Sequence, residues 1–144
     1  QLARQSAGFF VRAGHPLAGG GPVDPAVLES FGLATVRPPR ALRSAVSRAL
    51  GMRDGSLPIA LECDDVQTLK RAALASDTIL CVVRAAVLDE IASGQLLGLE
   101  MTSMPPLFAE TGIVSLRGRS HSPMAGVVVE RLQVLALQFA GNEA

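Results

Sequence analysis

Apolar residues along this chain fall in short runs, and the spacing within the runs switches between that of a strand and that of a helix. Gly8-Phe9-Phe10-Val11-Arg12 is a short apolar run followed by the turn-rich stretch 13–22, which predicts a strand leading into a loop. Asp24-Pro25 has the form of a helix start, with an acidic cap and proline at the first helical position. Val27, Leu28 and Phe31 lie on one face of that helix, and Gly32 ends it. Leu33-Ala34-Thr35-Val36 reads as the next strand.

After Pro38-Pro39, residues 40–50 carry a helical stripe of Leu42, Ala45, Val46, Ala49 and Leu50, with Arg43 and Arg48 off it and Gly51 as the stop. A strand is expected within 57–63. Asp64, with Gln67 three residues on, resembles a capping box for a helix that buries Leu69, Ala72 and Ala73. The continuous apolar run 78–83 suits a strand covered on both faces. A short helix over 85–93 stops at Gly94, a strand follows over 95–99, and 101–111, with Pro105-Pro106, reads as a connection. Residues 112–117 are expected as a strand. Ser122-Pro123 then caps a last helix with the stripe Met124, Val127, Val128, Leu132, Leu135 and Phe139. Strands alternating with helices predict an α/β fold, a mainly parallel sheet with flanking helices.

Composition narrows the function. The 144 residues fit one domain or two small lobes, and at 49% apolar and 18% charged they support a real core. With five Phe and neither Tyr nor Trp, that core must be aliphatic. The formal charge is zero, so the chain lacks the basic surplus with which a protein grips nucleic-acid phosphates. The arginines of 40–50 have no interleaved aromatics and read as a solvated face.

Cys63 and Cys81 have no CxxC spacing and read as small buried hydrophobes rather than as a disulfide or metal pair. No metal or cofactor is expected. No apolar run reaches the roughly 18 residues of a membrane span, and the opening residues lack the order of a signal peptide, so a cytoplasmic protein without membrane contact is expected. His15 and His121 lack acidic neighbours in sequence and are expected at the surface. There is no G-x-S-x-G or HExxH, and Gly19-Gly20-Gly21 is a plain loop, so no enzyme is expected.

Several segments together resemble one family. Val11-Arg12-Ala13-Gly14-His15-Pro16-Leu17-Ala18 resembles the entry to the second lobe of LysR-type effector domains. Residues 62–70, Glu62-Cys63-Asp64-Asp65-Val66-Gln67-Thr68-Leu69-Lys70, resemble a helix start in that lobe, and 76–84 the crossing back to the first lobe. There the family's glycine pair is replaced by Asp77-Thr78 and its proline by Arg84. Gly94-Gln95-Leu96-Leu97-Gly98-Leu99 resembles the G-x-L-x-x-L strand, and Arg117-Gly118-Arg119-Ser120-His121-Ser122-Pro123 the turn before the last helix. The matches run in family order from about residue 9 to 137.

The resemblance implies a fold like type II periplasmic binding proteins, two α/β lobes joined by crossing strands. Residues 14–83 would form the second lobe, and 1–13 with 84–144 the crossing strands and the C-terminal remainder of an incomplete first lobe. A helix-turn-helix, a linker helix and the opening of the first lobe would lie upstream of Gln1. The partners implied are a small-molecule effector bound between lobes and DNA reached only through the N-terminal domain. A second copy making a homodimer or higher oligomer is expected too, joined through the stripe from Met124 to Phe139.

Two places are candidate effector contacts. In Val36-Arg37-Pro38-Pro39-Arg40, free N–H groups and an arginine at a helix start suit a carboxylate or phosphate; the alternative is a solvated loop. At the start of the next helix, Gln67 and Thr68 are better contacts than the aspartates, whose charge would repel an anion; the alternative is a plain cap. Cys81 and Val83 either line the cleft or simply pack. A transport-type solute-binding protein is the alternative function. An enzyme on this fold would need a clustered acid–base pair, and none can be assembled from these residues.

Overall fold

Phe9, Phe10 and Val11, all buried, sit toward the C-terminal end of the strand on which the sheet is built, β1 (Ala3–Arg12). The computed structural model describes residues 2–38, 40–52, 56–118, 120 and 122–140, and of 41, 42, 45, 46, 49 and 138–140 the backbone alone. After β1 come α1 (Val27–Phe31), β2 (Leu33–Thr35), α2 (Arg40–Ala49), β3 (Ile59–Glu62), α3 (Val66–Ala75) and β4 (Ile79–Val83). A 3-10 turn (Arg84–Val87), α4 (Leu88–Ala92), β5 (Leu96–Leu99), β6 (Leu107–Thr111) and α5 (Pro123–Ala140) complete the described chain.

The six strands form one sheet, ordered β3-β2-β4-β1-β5, with β6 also paired to β1. Alternation sorts the strand residues onto two faces. Phe10, Ala34, Leu80 and Val82 point to one face, where Leu69 and Ala73 of α3 and Val87 close the core. Phe9, Val11, Leu33 and Ile79 point to the other, against Leu28 of α1, Leu99 and Met101, with Leu50 beside them.

The α/β architecture with flanking helices is as the pattern predicts, but the sheet is mixed rather than mainly parallel. β2 runs parallel to β3 and β4, whereas β1 runs antiparallel to β4, β5 and β6. Helical crossovers through α2 and α3 fix the directions of β2, β3 and β4. Hydrophobic periodicity carries no information on the direction of a strand joined through a long loop.

Three local expectations change as well. Residues 101–111 hold β6, which pairs Ala3–Ala7 with Leu107–Thr111; Pro105-Pro106 only precedes it. The stretch 112–117 is not a strand, and its Val114 is 96% exposed. The cap of α3 is Asp65, whose carboxylate accepts from the Gln67 N–H at 2.9 Å, so the Asp64–Gln67 pairing does not form.

His15 is buried, not exposed. Its Nδ1 accepts from the Leu17 N–H (3.0 Å) and its Nε2–H donates to the Asp77 carbonyl (2.9 Å), while its ring packs 4.7 Å from that of Phe31. Arg12 reaches the same turn, donating Nε and Nη2 to Asp77 Oδ1 at 3.0 and 2.6 Å. The segment around His15 and the turn at Asp77, far apart in sequence, are thus two sides of one clasp. His121 lies outside the described residues.

Ser122 caps α5 as expected, its Oγ accepting from the Ala125 N–H at 3.2 Å. The helix meets β1, and its Ala125, Gly126 and Val129 are half-buried. The stripe of Met124, Val127, Val128, Leu132 and Leu135 points outward, between 41% and 73% exposed, and the side chain of Phe139 lies outside the described ones. Because α5 is apolar almost all round, periodicity alone could not say which side meets the sheet.

Candidate functional site

Parallel β2 and β4 end side by side, and open α/β sheets present ligand sites at such carboxyl ends. Here Thr35 and Val83 leave the sheet on the same face as Phe9 and Leu33, and a cavity of about 220 Å³ opens. Its floor is Phe9, Leu33, Thr35, Cys81 and Val83 of the sheet. One wall is the loop Val36–Pro38 with Arg43 and Leu50, and the other is Leu107–Ala109 of β6.

Thr35, buried, donates its hydroxyl to the Cys81 carbonyl at 2.9 Å and ties β2 to β4 at the cavity floor. At the mouth, Glu62 ends β3 beside Thr35, as the parallel register requires. Arg37 Nε donates to Glu62 Oε1 at 3.0 Å, and Arg43 Nη2 donates to Oε2 at 2.7 Å. The Arg37 hydrogen bond, reinforced by Arg43, holds the Glu62 carboxyl below its ordinary value. Arg37 is raised in turn by that bond and by the charges of Asp64 and Glu62.

Of the residues singled out from sequence, Val36, Arg37 and Pro38 line the cavity together with Cys81 and Val83. Pro39 lies outside the described residues. Arg40 is exposed in the first turn of α2 and does not line the cavity. Gln67 and Thr68 are exposed at the start of α3, away from it. There the Gln67 N–H and the Thr68 hydroxyl (2.8 Å) both bond the Asp65 carboxylate, so Thr68 stabilises the cap. Those two bonds, Thr68 first, hold Asp65 below its ordinary value.

Sequence reasoning did not single out Thr35, Arg43, Glu62 or β6 as parts of a site. For Glu62 a signal existed: in a parallel sheet the end of one strand lies beside the loop leaving its neighbour. A glutamate ending β3 therefore faces an arginine following β2. For β6 there was none.

Burial pushes the Cys81 thiol up to about 12, against a smaller opposing pull from Thr35. The nucleophile is the thiolate, so Cys81 is expected to resist alkylation in the folded protein at neutral pH. Iodoacetamide labelling followed by peptide mass mapping should place the label on Cys81 only after denaturation. Rapid native labelling at Cys81 would contradict the raised thiol.

Among the described residues no helix is long and apolar enough to cross a membrane. Nor do three or more His, Cys, Asp or Glu cluster where they could hold a metal ion.

Among curated proteins none matches this chain. Solved structures do. HinK, a LysR family transcriptional regulator from Pseudomonas aeruginosa, is similar over 93% of this chain at 14% identity with a TM-score of 0.66. The CcmR regulatory domain of Synechocystis PCC6803, in complex with 2-PG, is similar over 94% at 17% identity and 0.65. The effector binding domain of QuiR, in complex with shikimate, is similar over 99% at 14% identity and 0.63. This chain spans 45%, 64% and 64% of the lengths of those three. At such identities the likeness is one of fold, that of periplasmic-binding-protein-like effector domains. The family model for the LysR substrate binding domain matches residues 1–136, nearly the whole sequence, and the chain belongs to that family.

Proposed function

We propose that this chain senses a small effector for a LysR-type transcriptional regulator, without catalysing a reaction, and that the cavity at the ends of β2 and β4 is where the effector sits. The observation that carries this reading is the placement of the cavity. It lies where β1 and β4, the two antiparallel strands that would cross between lobes, meet the loop after β2. Residues 14–83 then act as one lobe, and 1–13 with 84–144 as crossing strands and part of the other. An effector that binds one arrangement of the lobes more tightly shifts the population toward it. In the cytoplasm, the parent protein's DNA-binding domain would read that shift.

Val36 sits at the cavity rim, 36% exposed, so Val36→Trp should block the cavity without disturbing the core. A thermal-shift screen of small organic acids should find ligands that raise Tm; at a hundredfold excess over Kd the gain is about 2.7 kcal/mol. The shift should vanish in the Val36→Trp variant. A shift that survives there would place binding elsewhere and end this reading.

The outward stripe of α5 supports a second element of the proposal, association with another copy of the chain. Apolar area gains roughly 25 cal/mol per Å² when covered. Sedimentation should show a dimer or higher oligomer at micromolar concentration, and Val128→Asp with Leu132→Asp should return it to a monomer. A compact wild-type monomer would reject the association.

A further inference from the structure

We infer that the effector is a hydrophobic monocarboxylate, with an apolar body of about six to ten carbons and its single carboxylate held at Arg43 and Arg37. The inference rests on the cavity being the effector site and adds the chemistry of the occupant. Its walls are built from Phe9, Leu33, Leu50, Val83, Leu107 and Phe108. The Thr35 hydroxyl has already committed its proton to the Cys81 carbonyl and can only accept. A polyhydroxylated acid would therefore bury hydroxyl groups against walls that offer them few partners, which is costly. Apolar cavities of about 150 Å³ hold benzene, so the space here, at about 220 Å³, suits a somewhat larger body.

The polar end of the cavity is defined by charge. Arg37 and Arg43 are among its lining residues, and the guanidinium groups of both hydrogen-bond one carboxylate, that of Glu62. The bonds described occupy Nε of Arg37 and Nη2 of Arg43, out of five N–H donors on each. One further anionic oxygen pair completes this cluster. Arg43, with 28% of its side chain exposed, is the better placed, since Arg37 is 72% exposed. Asp64, exposed nearby, also acts on Arg37 through its charge. Glu62, the carboxylate both arginines bond, offsets one of their two charges; a single carboxylate balances the other, whereas a dianionic phosphate would exceed it, so the head carries one charge.

The test is calorimetric titration of the protein with butyrate, hexanoate, octanoate, 1-octanol and shikimate, each below its micellar concentration. Affinity should rise about fourfold per added methylene, the increment for burying CH₂. Octanol should bind at least tenfold more weakly than octanoate, and shikimate more weakly still. Arg43→Gln should weaken octanoate about tenfold while leaving octanol unchanged. A flat chain-length series, octanol equal to octanoate, shikimate binding more tightly, or no binding by any fatty acid would each overturn the inference. Val36→Trp separates this failure from that of the site. Shikimate binding that Val36→Trp abolishes keeps the site and rejects the ligand class, whereas octanoate binding that survives Val36→Trp rejects the site.

Discussion

Glu90→Ala is expected to lower the free energy of unfolding by about 3–5 kcal/mol, the cost of stranding one member of a buried ion pair. The member stranded is Lys70, the only lysine in the chain. It lies on the core-facing side of α3, with its side chain 10% exposed and Nζ 2.6 Å from Glu90 Oε1. Nζ also donates to the Ala86 carbonyl at 3.2 Å, so one ammonium pins α3 to the 3-10 turn and to α4. Without Glu90 that charge stays buried with a carbonyl alone.

The pair is not an optimal arrangement, because Glu90 Oε2 is buried without a hydrogen-bond partner among the described residues. Lys70→Met with Glu90→Leu should therefore be near neutral or stabilising, even though the single change is severe. The Lys70 hydrogen bond holds Glu90 below its ordinary value of 4.5, against the opposing effect of burial. A lowered carboxyl contributes stability above its unfolded value, and that contribution is lost as pH falls through the lower folded value. Stability from about pH 6 to about pH 3 should accordingly fall less in the double variant than in the wild type. Urea unfolding followed by circular dichroism measures both effects, and suits a chain without tryptophan. A Glu90→Ala variant within about 1 kcal/mol of wild type would show that the pair is solvated in solution.

Gly32→Ala should cost about 3 kcal/mol, from two sources that a companion substitution separates. Gly32 joins α1 to β2 at φ 72° and ψ 161°, a region essentially confined to glycine. A Cβ there would also lie 2.6 Å from the Ala60 Cβ of β3. The residue cannot relax easily, since its N–H donates to Leu28 and its carbonyl accepts from the Ile79 N–H at 3.0 Å. Ala60→Gly removes the contact but leaves the backbone conformation, so the double variant should recover only part of the loss. Full recovery would assign the whole cost to the clash, and a neutral Gly32→Ala would mean the turn adopts another conformation.

The parts of the fold that were legible in the sequence are those with a local cause. Gly32 and Gly51 end helices, Ser122 caps α5, and the apolar run of β4 is covered on both faces. What was not legible depends on partners distant in sequence. His15 has no acidic neighbour along the chain, yet the fold brings the Asp77 carbonyl to it. The two adjacent aspartates 64 and 65 are equivalent as sequence, and only the path of the chain out of β3 makes Asp65 the cap. β6 is masked by the prolines before it, and its half-exposed residues alternate too weakly to read. That the loop 36–38 lines the cavity follows from its place at a helix start, beyond the carboxyl end of a parallel strand. Gln67 and Thr68 satisfied the same rule at α3, but there the Gln67 N–H and the Thr68 hydroxyl already donate to Asp65.

β1 is paired to three other strands, all late in the chain, and its far end reaches Thr111 across 108 residues. Closing such long loops is slow, because their entropy is lost before the ladder compensates it. During refolding Phe9, Phe10 and Val11 must therefore wait, unpaired, until β4, β5 and β6 exist. Refolding yield should fall with protein concentration for that reason, and a chaperone that holds extended apolar segments would act first on this strand.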